Sequence, residues 1–206
     1  MSLKNLSAKI KIPKLLKNKL KNNKINQIYK RFEKTLNIDE NYIVAVSGGP
    51  DSLALAFLAK IYALKKNLTC RFFIVDHKLR ADSSKEARVV KKVLKQYSIN
   101  AEILTWYGKK PLNNVQSLAR KKRYELLFSK CKKFKINNLV IGHHLDDLIE
   151  NFFIRMIRGS GLKGLVSLEK RSVLNQINLI RPLLNFNKKD LIYVSKYIFG
   201  SFVKDP

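Results

Sequence analysis

Apolar positions follow two periods along the chain, and the switches between them mark out its elements. Ile25, Ile28, Tyr29, Phe32 and Leu36 recur at helical spacing, which predicts an amphipathic helix covering a sheet edge. Tyr42 to Val46 is a short β-branched run with the character of a buried strand, and helical spacing returns through Leu53, Phe57, Leu58, Ile61 and Leu64 as far as Lys65. The alternation continues with strand Cys70 to Asp76, helix Ser83 to Tyr97, strand Ala101 to Thr105 and helix Asn113 to Phe134. Strand Asn138 to Gly142, helix Leu145 to Ile157, a strand at Ile177 to Ile180 and a helix at Lys188 to Phe199 complete the series. Successive βα units predict an α/β fold with a doubly wound parallel sheet and ligands at the carboxyl ends of its strands. Residues 1–23 carry lysines but little periodic apolar content beyond Ile10, Ile12, Leu15, Leu16 and Leu20, and read as a basic extension, either a loose arm or a short helix. Residues 24–206 then form one domain, and no internal repeat is present.

The first strand and its helix are joined by Ser47-Gly48-Gly49-Pro50-Asp51-Ser52. Pro50 suits the first turn of a helix, Gly48 and Gly49 let the backbone approach an anion, and the helix N-terminus offers unpaired N–H groups. The Ser47 and Ser52 hydroxyls can add hydrogen bonds, so the turn is suited to phosphate. It is not a Walker A loop, because no Gly-Lys-Ser/Thr follows and Asp51 stands where a lysine would neutralise phosphate. A carboxylate beside phosphates repels them unless a hard divalent cation lies between, which makes Asp51 a candidate Mg²⁺ ligand.

Polar residues gather at two further strand ends. Asp76 and His77 either contact a nucleotide or merely end their strand, while Ser83 and Glu86 have the spacing of a capping box. The fourth strand runs into His143, His144, Asp146, Asp147 and Glu150. Asp147 and Glu150 share a helical face near its start, and acids there also suit the helix dipole. Such carboxylates can hold Mg²⁺ or a cationic substrate, and either histidine can steady phosphate or move a proton. A zinc site is not expected, for want of further ligands at fitting spacing. Gly159 to Gly164 matches GxGxxG but follows a helical pattern, so it reads as a flexible loop after Arg155 and Arg158.

Composition changes the picture in one respect. With 42 basic residues against 15 acidic, the formal charge of +27 calls for a polyanionic partner, although a lysine-rich, AT-biased coding sequence would contribute to it. Cys70 and Cys131 are far apart without a CxxC, as reduced thiols of a cytoplasmic protein would be. The basic N-terminus lacks an apolar signal core and no stretch approaches the ~18 apolar residues of a membrane span, so no membrane partner is expected.

SGGPDS resembles the PP-loop signature SGGxDS of the adenine-nucleotide α-hydrolase-like superfamily, whose Rossmann-like members split ATP between its α and β phosphates. Together with VDHKLR, Asn114 to Tyr124, HHLDDLIEN, RGSGLKGL and Arg181 to Leu184, in that order, it resembles the tRNA(Ile)-lysidine synthetase family from about Tyr42 onward. Two positions depart from that family's pattern: Lys78 stands for the glycine of VDHGLR, and Asn151 for the threonine of DDxxET. The resemblance implies adenylation by ATP of the C2 carbonyl oxygen of the wobble cytidine in tRNA(Ile) with a CAU anticodon, then displacement of AMP by L-lysine. It also implies roles: Ser47, Gly48, Gly49, Pro50, Asp51, Ser52 and Asp76 on ATP, with Asp51 holding Mg²⁺, Asp147 and Glu150 on the lysine ammonium groups, and Arg120 and Arg123 balancing phosphate charge. Asp51, Arg120, Arg123, His143 and Asp147 are the catalytic candidates. Without the motif, Arg120 and Arg123 would read as a solvated helix face. A PP-loop tRNA thiolase is the nearest rival and would need paired cysteines; a non-catalytic basic ATP- or RNA-binding protein would not need the carboxylates. In this family further helical domains follow, so C-terminal tRNA-binding domains are expected to be absent or truncated here, and a homodimer is compatible with the sequence.

Overall fold

The computed structural model describes residues 12–108, 114–157 and 169–202, with only the backbone described at 151 and 154–157. In chain order the elements are α1 (Lys14–Lys19), α2 (Asn23–Leu36), β1 (Tyr42–Val46), α3 (Pro50–Lys66), β2 (Cys70–Asp76), α4 (Ser83–Gln96) and β3 (Ala101–Thr105). They continue with α5 (Val115–Phe134), β4 (Asn138–Val140), α6 (Leu145–Ile157), β5 (Arg171–Leu174), β6 (Ile177–Ile180) and α7 (Lys188–Phe199). The sheet has the order β3-β2-β1-β4-β6-β5. Its strands are parallel except for β5, which pairs antiparallel to β6 with Leu174 opposite Ile177. The expected doubly wound sheet is therefore present with one antiparallel edge strand added.

Side-chain alternation along the strands divides the core into two layers. Tyr42, Val44, Phe72 and Ile74 point into the layer shared with α2, α3, α4 and α7, whereas Ile43, Phe73 and Leu139 point into the layer beneath α5. α3 is buried almost all round from Ser52 to Ala63, which its run of Leu, Ala and Phe permits. The left-handed residues Asn37 and Asn67 end α2 and α3, each donating its backbone N–H back into its helix. The predicted stripe of α2 is buried in full, but it layers on α3, with Phe32 edge-on to Tyr62, and only its last carbonyls, from Leu36 and Asn37, reach the sheet edge through Arg171. α1 takes the short-helix alternative, and its Leu16 lies in the core.

Two boundaries move by two residues, and one strand is added. Asn114 is left-handed and α5 starts at Val115, with residue 113 outside the described residues. β4 stops at Val140 instead of Gly142, since the chain there leaves the ladder to form the loop of the site. β5 was not predicted because it has no buried face to read, Val173 being 71% exposed. It joins β6 through Asn175 and Gln176, both at positive φ as in a two-residue type I′ hairpin. The GxGxxG segment 159–164 and Arg158 lie outside the described residues, as does the Arg155 side chain. No helix among the described residues is long and apolar enough to cross a membrane.

Candidate active site

A cleft of about 490 Å³ opens beyond the carboxyl ends of β1 and β4, where the strand order reverses. Ser47, Gly49, Pro50, Asp51, Ser52, Arg123, His143 and Asp147 line it, so most of the residues singled out from sequence converge on one cavity.

The glycine-rich turn is organised from within by Ser52. Its hydroxyl accepts the backbone N–H groups of Ser47 at 3.1 Å and Gly48 at 3.0 Å, lies 3.1 Å from Ser47 Oγ, and is 3.0 Å from the Gly49 carbonyl. Gly48 has φ +96°, a conformation that glycine adopts without strain. Gly49 caps α3 and Pro50 occupies its first turn, as expected. A Cβ on Gly142 would stand 3.4 Å from Ser52 Cα, at van der Waals contact, so the chain just after β4 lies directly against the turn. Ser52 thus shapes the loop, and the first turn of α3, whose N–H groups lack intrahelical partners, contributes Pro50, Asp51 and Ser52 to the cavity lining.

The two adjacent histidines differ in their surroundings. The Asp146 backbone N–H donates to His144 Nδ1 at 3.1 Å, which leaves the proton of the neutral ring on Nε2, 3.4 Å from Asp51 Oδ2 and 3.6 Å from Asp147 Oδ2. The hydrogen bond to Asp51 raises the His144 pKa above its ordinary value, against the opposing effect of burial. Burial pushes His143 down to about 4, opposed by Asp147 and assisted by Arg120, Arg181 and Arg123. His143 is therefore neutral at pH 7, and its Nδ1 is buried without a hydrogen-bond partner among the described residues. Of the two, His143 lines the cleft.

Asp147 accepts from the His144 backbone N–H at 2.8 Å and so stands at the mouth of α6 with its carboxylate toward the cavity. Glu150, one turn on, is exposed and outside the cleft lining. Arg120 is likewise outside it, with its guanidinium 5.7 Å from the Tyr124 ring centre. Asp51 Oδ1 is buried and has no partner among the described residues, and an orphaned carboxylate oxygen beside a phosphate-type turn fits a hard divalent cation.

Asp76 departs from the sequence reading. Its oxygens accept from Lys78 N at 2.9 Å, Ser83 Oγ at 2.8 Å and Ser84 Oγ at 2.5 Å, and it does not line the cleft. Burial opposes its ionisation, but these hydrogen bonds outweigh burial and hold its pKa below the ordinary value. The capping box at Ser83 and Glu86 is not formed. Ser83 donates to Asp76, the N-cap is Asp82, and Glu86 pairs with Arg80 at 3.0 Å. With Asp82 as N-cap, Ser83 already lies inside the helix, and its hydroxyl donates instead to the buried carboxylate at the strand end. His77 is half-buried beside Arg123, and neither ring nitrogen has a partner among the described residues.

Sequence reasoning missed the His144–Asp51 contact and the lining residues Lys188, Ile192 and Phe202, which only packing brings here. Tyr124 also lines the cleft, and its place in the Arg120–Tyr124 run was the available signal. Cys131 is buried and Cys70 half-buried; burial lifts their thiols to about 11 and about 12, and neither lines the cleft. No group of three or more His, Cys, Asp or Glu able to hold a metal occurs among the described residues.

The PP-loop domain family matches residues 17–206. Among curated proteins, the tRNA(Ile)-lysidine synthase of Orientia tsutsugamushi is 43% identical over 161 residues, covering 78% of this chain and 36% of that protein. The enzyme of the same name from Wolbachia pipientis is 41% identical over 79% of this chain and 38% of its own length, and that of Rhodopseudomonas palustris 37% identical over 80% and 48%. The chain thus spans less than half the length of these relatives. Among solved structures, the U34-tRNA thiolase NcsA from Methanococcus maripaludis, with its [4Fe-4S] cluster, superposes with a TM-score of 0.77 at 22% identity, covering 89% of this chain and 67% of that one. This last likeness is one of fold.

Proposed function

The chain belongs to the PP-loop family, and from that premise we propose that residues 24–206 are the catalytic domain of a cytoplasmic tRNA(Ile)-lysidine synthetase that uses ATP and Mg²⁺. One observation carries the reading: the glycine-rich turn with Asp51 faces the same cavity as His143 and Asp147 from the β4–α6 junction. Identity of 43% to a lysidine synthase over 78% of the chain supports the choice of acceptor.

The N–H groups at the α3 N-terminus, which lack intrahelical partners, receive the ATP phosphates. Asp51 would hold Mg²⁺, which supplies charge neutralisation between carboxylate and phosphate when bound. The wobble cytidine O2 bonds to the α-phosphorus as the bond to the β-phosphate oxygen breaks, releasing pyrophosphate. Asp147, with Glu150 at the rim, attracts the ammonium groups of L-lysine, whose amine then bonds to C2 while AMP leaves. His143, neutral at pH 7 and lining the cleft, can accept the proton that this amine sheds. Arg123 in the cleft and Arg120 beside it balance the phosphate charge. A thiolase would need a sulfur carrier, and neither described cysteine lines the cleft.

The test is incorporation of radiolabelled L-lysine into CAU-anticodon tRNA(Ile) with ATP and Mg²⁺, comparing the chain with Asp51→Ala. Label that falls at least about 100-fold in the variant is expected, as for loss of one electrostatic contributor to a transition state. ATP binding without any label in either protein would overturn the assignment of acceptor for this chain.

A further inference from the structure

The glycine-rich turn carries no lysine, and Asp51 and Asp147 both face the cleft it opens on. A triphosphate bound there therefore meets carboxylates before it meets any cation of the loop. Among the described residues lining the cleft, Arg123 and Lys188 are the permanently charged cations. They arrive from opposite faces of the sheet, Arg123 on α5 and Lys188 as the first residue of α7.

The backbone on either side of Lys188 is fixed by α2. Arg31 Nη2 donates to the Asn185 carbonyl at 3.0 Å, the Arg31 guanidinium lies 4.6 Å from the Phe186 ring centre, and Nη1 pairs with Asp190 at 3.4 Å. Lys24 adds a second contact to Asp190 at 3.6 Å. Asn187 caps the helix by accepting from Asp190 N at 2.8 Å, and the Phe186 carbonyl accepts from Leu145 N at 3.2 Å, which ties this turn to the start of α6. Lys188 itself is exposed, makes no ion pair among the described residues, and lines the cleft from a fixed backbone.

We propose that Lys188 binds the phosphates of the nucleotide in this cleft, supplying from α7 the cation that a Walker-type loop carries within itself, and that the Arg31–Asp190 pair positions it. The proposal rests on the reading that the cleft binds ATP. An ammonium on a helix anchored at its first turn loses less freedom on binding than one on a free loop, which is the advantage of the α2 contact.

Calorimetric ATP binding with Mg²⁺, on the full chain, separates the outcomes, with thermal unfolding recorded for each variant. Lys188→Gln is expected to weaken ATP about tenfold, Lys188→Arg to retain most affinity, and Lys189→Gln, its exposed neighbour outside the cleft, to change it less than about twofold. Asp190→Asn is expected to weaken ATP about threefold with Lys188 present and not at all in the Lys188→Gln background, as coupled residues do. Equal losses for Lys188→Gln and Lys189→Gln would reduce the effect to diffuse charge and overturn the phosphate role. The same loss from Asp190→Asn in both backgrounds would overturn the positioning role. Failure of the unsubstituted chain to bind ATP is a different result and would overturn the ATP reading beneath both.

Discussion

Lys78 occupies a left-handed backbone position, φ +51°, two residues after the buried Asp76 that its N–H helps to hold. The resembling family has glycine at this place, and the geometry gives the reason, since a side chain with a Cβ is strained there. Lys78→Gly is expected to raise stability by about 0.5–1 kcal/mol, reduced by losing the exposed contact of Lys78 with the Tyr107 ring. A higher urea midpoint at unchanged slope would establish it. His143 gives the second expectation at this scale. Its folded pKa is lowered from 6.5 to about 4, so below pH 6.5 the unfolded chain takes up a proton that the folded one refuses. Stability should fall by up to about 3 kcal/mol from this group as pH drops from 6.5 to 4, and His143→Gln should flatten that part of the urea-midpoint profile. His144 has the opposite sign: its raised pKa contributes stability that is complete below pH 6.5 and lost as pH climbs through the folded value.

At the scale of elements, α2 does not line the cleft but contacts the start of α7, whose Lys188 does. Its apolar stripe, Ile25, Ile28, Tyr29, Phe32 and Leu36, is wholly buried against the α3 side of the core, and its polar flank holds the start of α7. Phe32→Ala should cost about 3–5 kcal/mol, read by urea unfolding, because the ring is fully buried against Tyr62 and leaves a cavity. The stripe was legible because 3.6-residue periodicity is local. The β5 strand was not, because an exposed edge strand carries no alternation, and its turn lacks the glycine that usually signals a type I′ hairpin. The cap expected at Ser83 failed because local spacing matched but the helix starts one residue earlier, with Asp82 as N-cap and the Ser83 hydroxyl donating to Asp76 at the end of β2.

For the whole molecule, a formal charge of +27 accompanies a cleft at the topological switch point, and under the proposed function the charge draws in tRNA and the cleft modifies it. Under the proposed function, binding of tRNA should lose about 10³-fold in affinity between about 50 and 200 mM salt, measured by filter binding, because each neutralised phosphate releases a counterion. A salt-independent affinity would assign the charge another purpose. By itself the sequence determined the order and type of the βα units, the glycine-rich turn with Pro50 in the first turn of α3, and the acids that open α6. All of these depend on residues close together in the chain, where backbone sterics, periodicity and capping act. The tertiary structure alone decided that Asp51 meets His144, that the serines of α4 engage Asp76, and that Lys188 reaches the cleft. Those pairings join side chains distant along the chain, and which of the competing hydrogen-bond and charge partners they choose is settled only when the sheet brings them within a few ångströms.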